Sequence, residues 1–199
     1  MMRTRVNGAA VRPINARRGL RLRRGVATLA ILIGMLGIVV GGVFDVVWKR
    51  ERGRLGALAE TVAAGAPDGA ARISRWVDER VPDRPADSRG WLGPTPERIA
   101  GAGGDAAGKA RLAAVMVSAT GRPARVGRVR SCPQCPPRTA MVAAGPGGWT
   151  APGAPQSAIL SSRPLILDSP HLLISQAGSL GGALCFCVGL LLMPGRRGG

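Results

Sequence analysis

The sequence predicts a mainly α-helical membrane protein. An N-terminal transmembrane helix continues into an extracytoplasmic helix, a largely disordered Pro/Gly-rich middle follows, and a second transmembrane helix lies near the C-terminus. Three observations predict this class. Val26 to Phe44 and Leu172 to Met193 are two runs without a single charge, and a helix needs about 20 apolar residues to cross a ~30 Å hydrocarbon layer. The 199 residues include 30 Gly and 16 Pro but no Tyr and only 2 Phe, and large apolar side chains gather near the two ends. A middle of Ala, Gly, Pro and Arg then offers little apolar area against a backbone ordering cost of about 1–2 kcal/mol per residue, so no large globular domain is expected.

Residues 1–24 read as a basic cytoplasmic tail. Arg3, Arg5, Arg12, Arg17, Arg18, Arg21, Arg23 and Arg24 stand there without an acid among them, and such an excess marks the cytoplasmic side of a span. Residues 25–48 form the first span, with Trp48 placed as an interfacial aromatic. A cleaved signal peptide would have an apolar core of about 7–15 residues and a small-residue cleavage site. This run is longer and ends in Trp48-Lys49-Arg50-Glu51-Arg52, which favours an uncleaved anchor. Ala27, Ala30, Gly34, Gly37 and Gly41 recur at spacings of three and four, so they share one stripe of the helix, and Asp45 extends it. Gly37 to Gly41 is also a GxxxG. Small stripes let helices approach closely in lipid, where packing replaces the hydrophobic effect as the driving force. The stripe therefore predicts a helix partner within the membrane. For Asp45 the choice lies between simple solvation and a cation on that partner.

Residues 49–66 continue the helix outside the membrane, with Leu55, Leu58, Ala59 and Val62 at helical spacing, a weak point at Gly53, and Gly65-Ala66-Pro67 as a stop. Residues 67–120 read as short helices and loops. Ala71 to Val77 is amphipathic and suited to a lipid surface, and Ala106 to Ser118 is apolar around Leu112, Val115 and Met116. Residues 121–170 read as an extracytoplasmic linker, since nine prolines and many glycines leave no period. Residues 171–194 form the second span and 195–199 a cytoplasmic tail closed by Arg196-Arg197. Gly178 to Gly182 is a second GxxxG within the small stripe Ser175, Gly178, Gly182, Cys185 and Gly189.

The N-terminal third resembles a known family. Arg23-Arg24-Gly25, an apolar run, Asp45, a basic stretch and a Leu/Ala-rich helix are similar to the N-terminal segment of TadE/TadG-like proteins of Tad/Flp pilus assembly. The resemblance covers about residues 23–66, with Leu55, Ala59 and Glu60 matching the family's Leu, second Ala and Asp. It implies a membrane-anchored pilus-assembly component in the bacterial inner membrane, N-terminus cytoplasmic. Pseudopilins of the related type carry Glu five residues after the processed Gly; that position is Ala30 here, so prepilin-peptidase processing is not expected.

Chemistry has few candidates. The formal charge of +17 comes almost wholly from arginine, Lys49 and Lys109 being the two lysines. Membrane lipid is the expected partner for this charge. Nucleic acid is not, because neither a recognition motif nor interleaved aromatics accompany it. Cys132-Pro133-Gln134-Cys135 has metal or redox spacing, but zinc needs four ligands, and Cys185, Cys187 and His171 lie in or beside the second span. The pair reads as a local disulfide if exported, or as incidental thiols. No Ser/His/Asp set, phosphate loop or carboxylate pair is present, so no enzyme activity, no cofactor and no metal are expected. Two other readings remain beside a pilus component: a two-span scaffold or regulator of another family, and a frameshifted or spurious product.

Overall fold

The computed structural model describes residues 14–85, 94–145, 147–155 and 158–193. Residues 1–13 of the expected N-terminal tail, and all of the C-terminal one, lie outside the described residues. The elements are α1 (Ile14–Ala63), α2 (Gly69–Arg80), α3 (Pro96–Ala102), α4 (Ala106–Ala119), β1 (Ala124–Val129), β2 (Arg138–Gly145), β3 (Gly148–Thr150), β4 (Ile159–Pro164), α5 (Leu165–Asp168) and α6 (Pro170–Leu192). They divide into two compact units. One comprises α1 up to Val40 and α6 from Gly178; the other comprises Gly41–Ala177.

α1 runs unbroken through Asp45, Gly53 and Gly56. It stops where the sequence places its stop: Ala64 and Gly65 both take positive φ, 45° and 69°, the left-handed turn that ends helices and that glycine adopts without strain. Arg122 fixes this turn from a distance. Its guanidinium donates to the carbonyls of Ala66 (2.8 Å) and Pro67 (3.4 Å), two acceptors just past the helix end.

The unit of Gly41–Ala177 has a true core, which corrects the expectation that no large globular domain forms. Trp48, Leu55 and Ala59 of α1, Ile73 and Val77 of α2, and Ile99 of α3 bury around α4 with Val126, Met141 and Ala143 of the sheet. α4 is the centre. Leu112, Ala113, Ala114, Val115, Met116 and Val117 are all buried, and a helix that is apolar all round belongs inside. The Asp105 side chain caps it, accepting from the Gly108 N–H at 2.8 Å. Two local expectations change here. The apolar face of α2 packs in this core instead of lying on lipid, and Trp48 is buried in it instead of standing at an interface.

The largest correction concerns residues 121–170, expected as a disordered linker. They hold a four-stranded antiparallel sheet of order β3-β2-β1-β4. The prolines do not prevent it because they fall between strands or at strand ends: Pro123, Pro133, Pro136, Pro137, Pro152, Pro155 and Pro164 all do so. Pro133 occupies the second position of a turn closed by the Cys135 N–H donating to the Cys132 carbonyl at 3.1 Å. The same two residues form a disulfide at the tip of the β1–β2 hairpin. Gly145 pairs with Gly148 to close the β2–β3 hairpin. Gly127 in the central strand is a requirement of close packing: a Cβ there would lie 2.7 Å from both the Ser161 carbonyl oxygen and Val142 Cγ2. One face of the sheet lies on α4. The other carries a small cluster of Val129, Val142 and Ala151 with Trp149 and Ile159, and Arg125 stacks over the Trp149 ring at 5.2 Å.

Candidate functional site: a glycine seam and a buried polar cluster

α1 and α6 are both long and apolar enough to cross a membrane. Within the unit formed by their outer halves, the small residues singled out in the sequence meet. A Cβ on Gly34 would lie 2.5 Å from the Phe186 nitrogen and 2.7 Å from the Gly182 oxygen. A Cβ on Gly37 would lie 2.9 Å from Gly182 Cα and 3.1 Å from the Gly178 oxygen. On the facing helix, a Cβ on Gly182 would meet Ile38 N at 2.6 Å, and one on Gly189 would meet the Ala27 oxygen at 2.9 Å. All but the 3.1 Å contact are closer than real Cβ atoms come to backbone. These glycines are therefore what allows the two backbones to touch.

The order of the pairs makes the helices antiparallel: Gly37 faces Gly178 and Gly182, Gly34 faces Gly182 and Phe186, and Ala27 faces Gly189. Burial repeats every seven residues at Ala27, Gly34, Gly41, Trp48 and Leu55 in α1, and at Ser175, Gly182 and Gly189 in α6. A seven-residue period keeps one narrow face of a helix against its neighbour over many turns. Ala27 is 0% exposed, while Ala30 and Gly37 are half-buried. The opposite faces are apolar and open, with Leu29, Leu32, Leu36, Leu180, Leu184 and Leu191 all exposed.

Gly41 and Asp45 belong to the other unit. Gly41 is buried. The Asp45 carboxylate accepts from Lys49 Nζ at 2.7 Å, one turn along its own helix.

Sequence reasoning missed several buried polar side chains of the Gly41–Ala177 unit. Glu51 is only 7% exposed and Ser169 only 1%. Glu51 Oε2, Ser169 Oγ and both ring nitrogens of His171 are buried without a hydrogen-bond partner among the described residues. The His171 ring stacks on Phe44 with centroids 5.7 Å apart. Burial pushes the Glu51 carboxyl above its usual value of 4.5; a hydrogen bond with Thr95 and the charge of His171 act in the opposite direction, and nearby Glu97 adds to the rise. Glu97 itself pairs with Arg54 at 2.5 Å. The only sequence signal for this group was an acid placed within a basic stretch of an otherwise periodic helix.

Elsewhere, Lys109 is buried and pairs with Asp83 at 2.6 Å, beside a cavity of about 370 Å³ that Arg138 and Met141 also line. Among the described residues, no three His, Cys, Asp or Glu side chains come together as a metal site would require. Cys185 is half-buried and Cys187 exposed, both as free thiols. No family model, no curated protein and no solved structure matches this chain.

Proposed function

We propose that the chain is an integral membrane anchor and assembly component of the bacterial cytoplasmic membrane, without catalytic activity, of the type found in Tad/Flp pilus assembly. α1 and α6 cross the bilayer as a hairpin with both ends cytoplasmic, and the sheet-bearing unit lies on the outer side. The observation that carries this reading is the glycine seam. In lipid the hydrophobic effect does not hold helices together, and close backbone packing does. The exposed faces of the pair, lined with Leu, are what lipid tails solvate well. Arginines flank both ends of the hairpin, as the positive-inside rule requires. The disulfide between Cys132 and Cys135 suits an oxidising, exported compartment. The sheet-bearing unit gives the anchor a folded body for contacts outside the membrane.

Fluorescent reporters that mature only in the cytoplasm, fused before Met1 and after Gly199, test the topology. Fluorescence from both, in a membrane fraction that resists alkaline extraction, is the expected result. A dark C-terminal reporter removes the second span. The pilus assignment is tested separately by deleting the gene in its own host. Loss of surface pili is expected, and unchanged piliation leaves a two-span scaffold without that role.

A further inference from the structure

The sheet carries a basic pocket that neither the seam nor the buried polar cluster uses. Between Asp105 and Asp168 the sequence has no acidic residue, yet Arg122, Arg125, Arg128, Arg130, Arg138 and Arg163 all fall there. The strand register gathers two of them. Arg128 of β1 stands opposite Thr139 of β2 on one side and Ser161 of β4 on the other. Arg163, two residues beyond Ser161, points to the same face because side chains alternate along a strand. With Val126 and Gly127 these four residues line a pocket of about 180 Å³.

Arg128 and Arg163 hold diagonal positions on neighbouring strands, where Cβ atoms lie about 7–8 Å apart and long side chains still reach one another. Both are exposed, and neither has an ion-pair or hydrogen-bond partner among the described residues. Two unpaired guanidiniums at that separation repel each other, and every polar side chain around them can donate a hydrogen bond. A phosphate completes such a set: each guanidinium presents a planar fork that fits its non-ester oxygens, and the Thr139 and Ser161 hydroxyls can donate to the remaining lone pairs of the same oxygens. We propose that the pocket formed by Arg128, Arg163, Thr139 and Ser161 binds a phosphate group. Its source is either a phospholipid headgroup or a free phosphate compound. The headgroup has the advantage of proximity along the chain, since Arg163 is nine residues from Leu172, where the second apolar run begins.

The test uses the full chain in neutral detergent, titrated calorimetrically with inorganic phosphate and, separately, with a short-chain soluble phosphatidylglycerol. At least one probe is expected to bind saturably, and R128Q/R163Q to weaken it by about tenfold or more. R75Q/R80Q removes the same charge from the exposed side of α2 and is expected to change affinity by less than about twofold. Tighter binding of the lipid assigns the pocket to a headgroup, and tighter binding of inorganic phosphate assigns it to a free phosphate compound. Absence of saturable binding by either probe overturns the proposal, as does an equal loss in the two double variants, which would mean net charge alone is being read. Should R128Q/R163Q fail to fold, T139V/S161A keeps every charge and is expected to weaken binding about fivefold; unchanged binding then overturns the proposal. The inorganic phosphate arm does not depend on the membrane reading, so the two can fail independently.

Discussion

The two halves of α1 bury the same face in opposite ways. Toward the N-terminus the seven-residue row is Ala27, Gly34 and Gly41; toward the C-terminus it continues as Trp48 and Leu55. The first half gains contact by having almost no side chain, so that backbone meets backbone at Gly182 and Gly189. The second half gains contact through large side chains that fill a core around α4. On the proposed membrane reading, the change follows the solvent around each half. In water, burying apolar area stabilises by roughly 25 cal/mol per Å², and large residues are favoured. In lipid that gain disappears between helices, and only close packing distinguishes one surface from another. A single unbroken helix therefore carries two packing chemistries on one stripe.

The largest effect is expected in the C-terminal half. Trp48→Ala empties a site in the core and is expected to cost about 4 kcal/mol, read as a lower unfolding midpoint of the Gly41–Ala177 unit by near-ultraviolet dichroism. Gly34→Leu does the reverse in the seam. It adds bulk where a Cβ already meets backbone, and is expected to cost about 3 kcal/mol of helix pairing while membrane insertion is retained. Cys132→Ser opens a short loop in the sheet and should cost about 2 kcal/mol or less, measured by comparing unfolding with and without reductant. Glu51→Gln acts through pH. The folded carboxyl has a raised pKa, so the unfolded chain releases its proton first. The stability linked to Glu51 is fully present below about pH 4.5 and is lost as pH rises through the folded value. The glutamine variant should flatten that decline when the unfolding midpoint is followed from pH 4 to pH 8. The smallest effect belongs to Leu36→Ala on the open face, within about 0.5 kcal/mol, which sharpens the claim that only the buried row matters.

How legible each half was in the sequence follows from the same contrast. The apolar runs, the helix stop at Gly65 and the glycine spacing were readable because helical periodicity and charge exclusion are local signals. Ala27 and Gly34, buried against α6, lie on the stripe read from Ala27 to Gly41, of which Ala30 and Gly37 are half-buried. The sheet was not readable. β2 reads Arg-Thr-Ala-Met-Val-Ala-Ala-Gly and β1 carries Gly127 at its centre, so neither shows the β-branched alternation by which strands announce themselves. Their stability depends on what covers them, chiefly α4 with α5 beside β1 and β4, and such long-range packing leaves little trace in composition. Proline density misled for a related reason: it measures how many turns there are, not whether strands lie between them. Glu51 and His171, which interact electrostatically in the fold, stand more than a hundred positions apart, which no spacing rule connects.

On the proposed membrane reading, Gly34 and Gly182 hold α1 and α6 together in the bilayer. Spin labels at Leu36 and Leu184, 65% and 67% exposed on the two helices, report their separation by pulsed electron resonance in lipid nanodiscs, with Cys185 and Cys187 replaced by serine. A narrow distance distribution is expected for this background, and a longer, broader one once Gly34→Leu and Gly182→Leu are added. An unchanged distribution in the leucine variant would contradict that role for the two glycines.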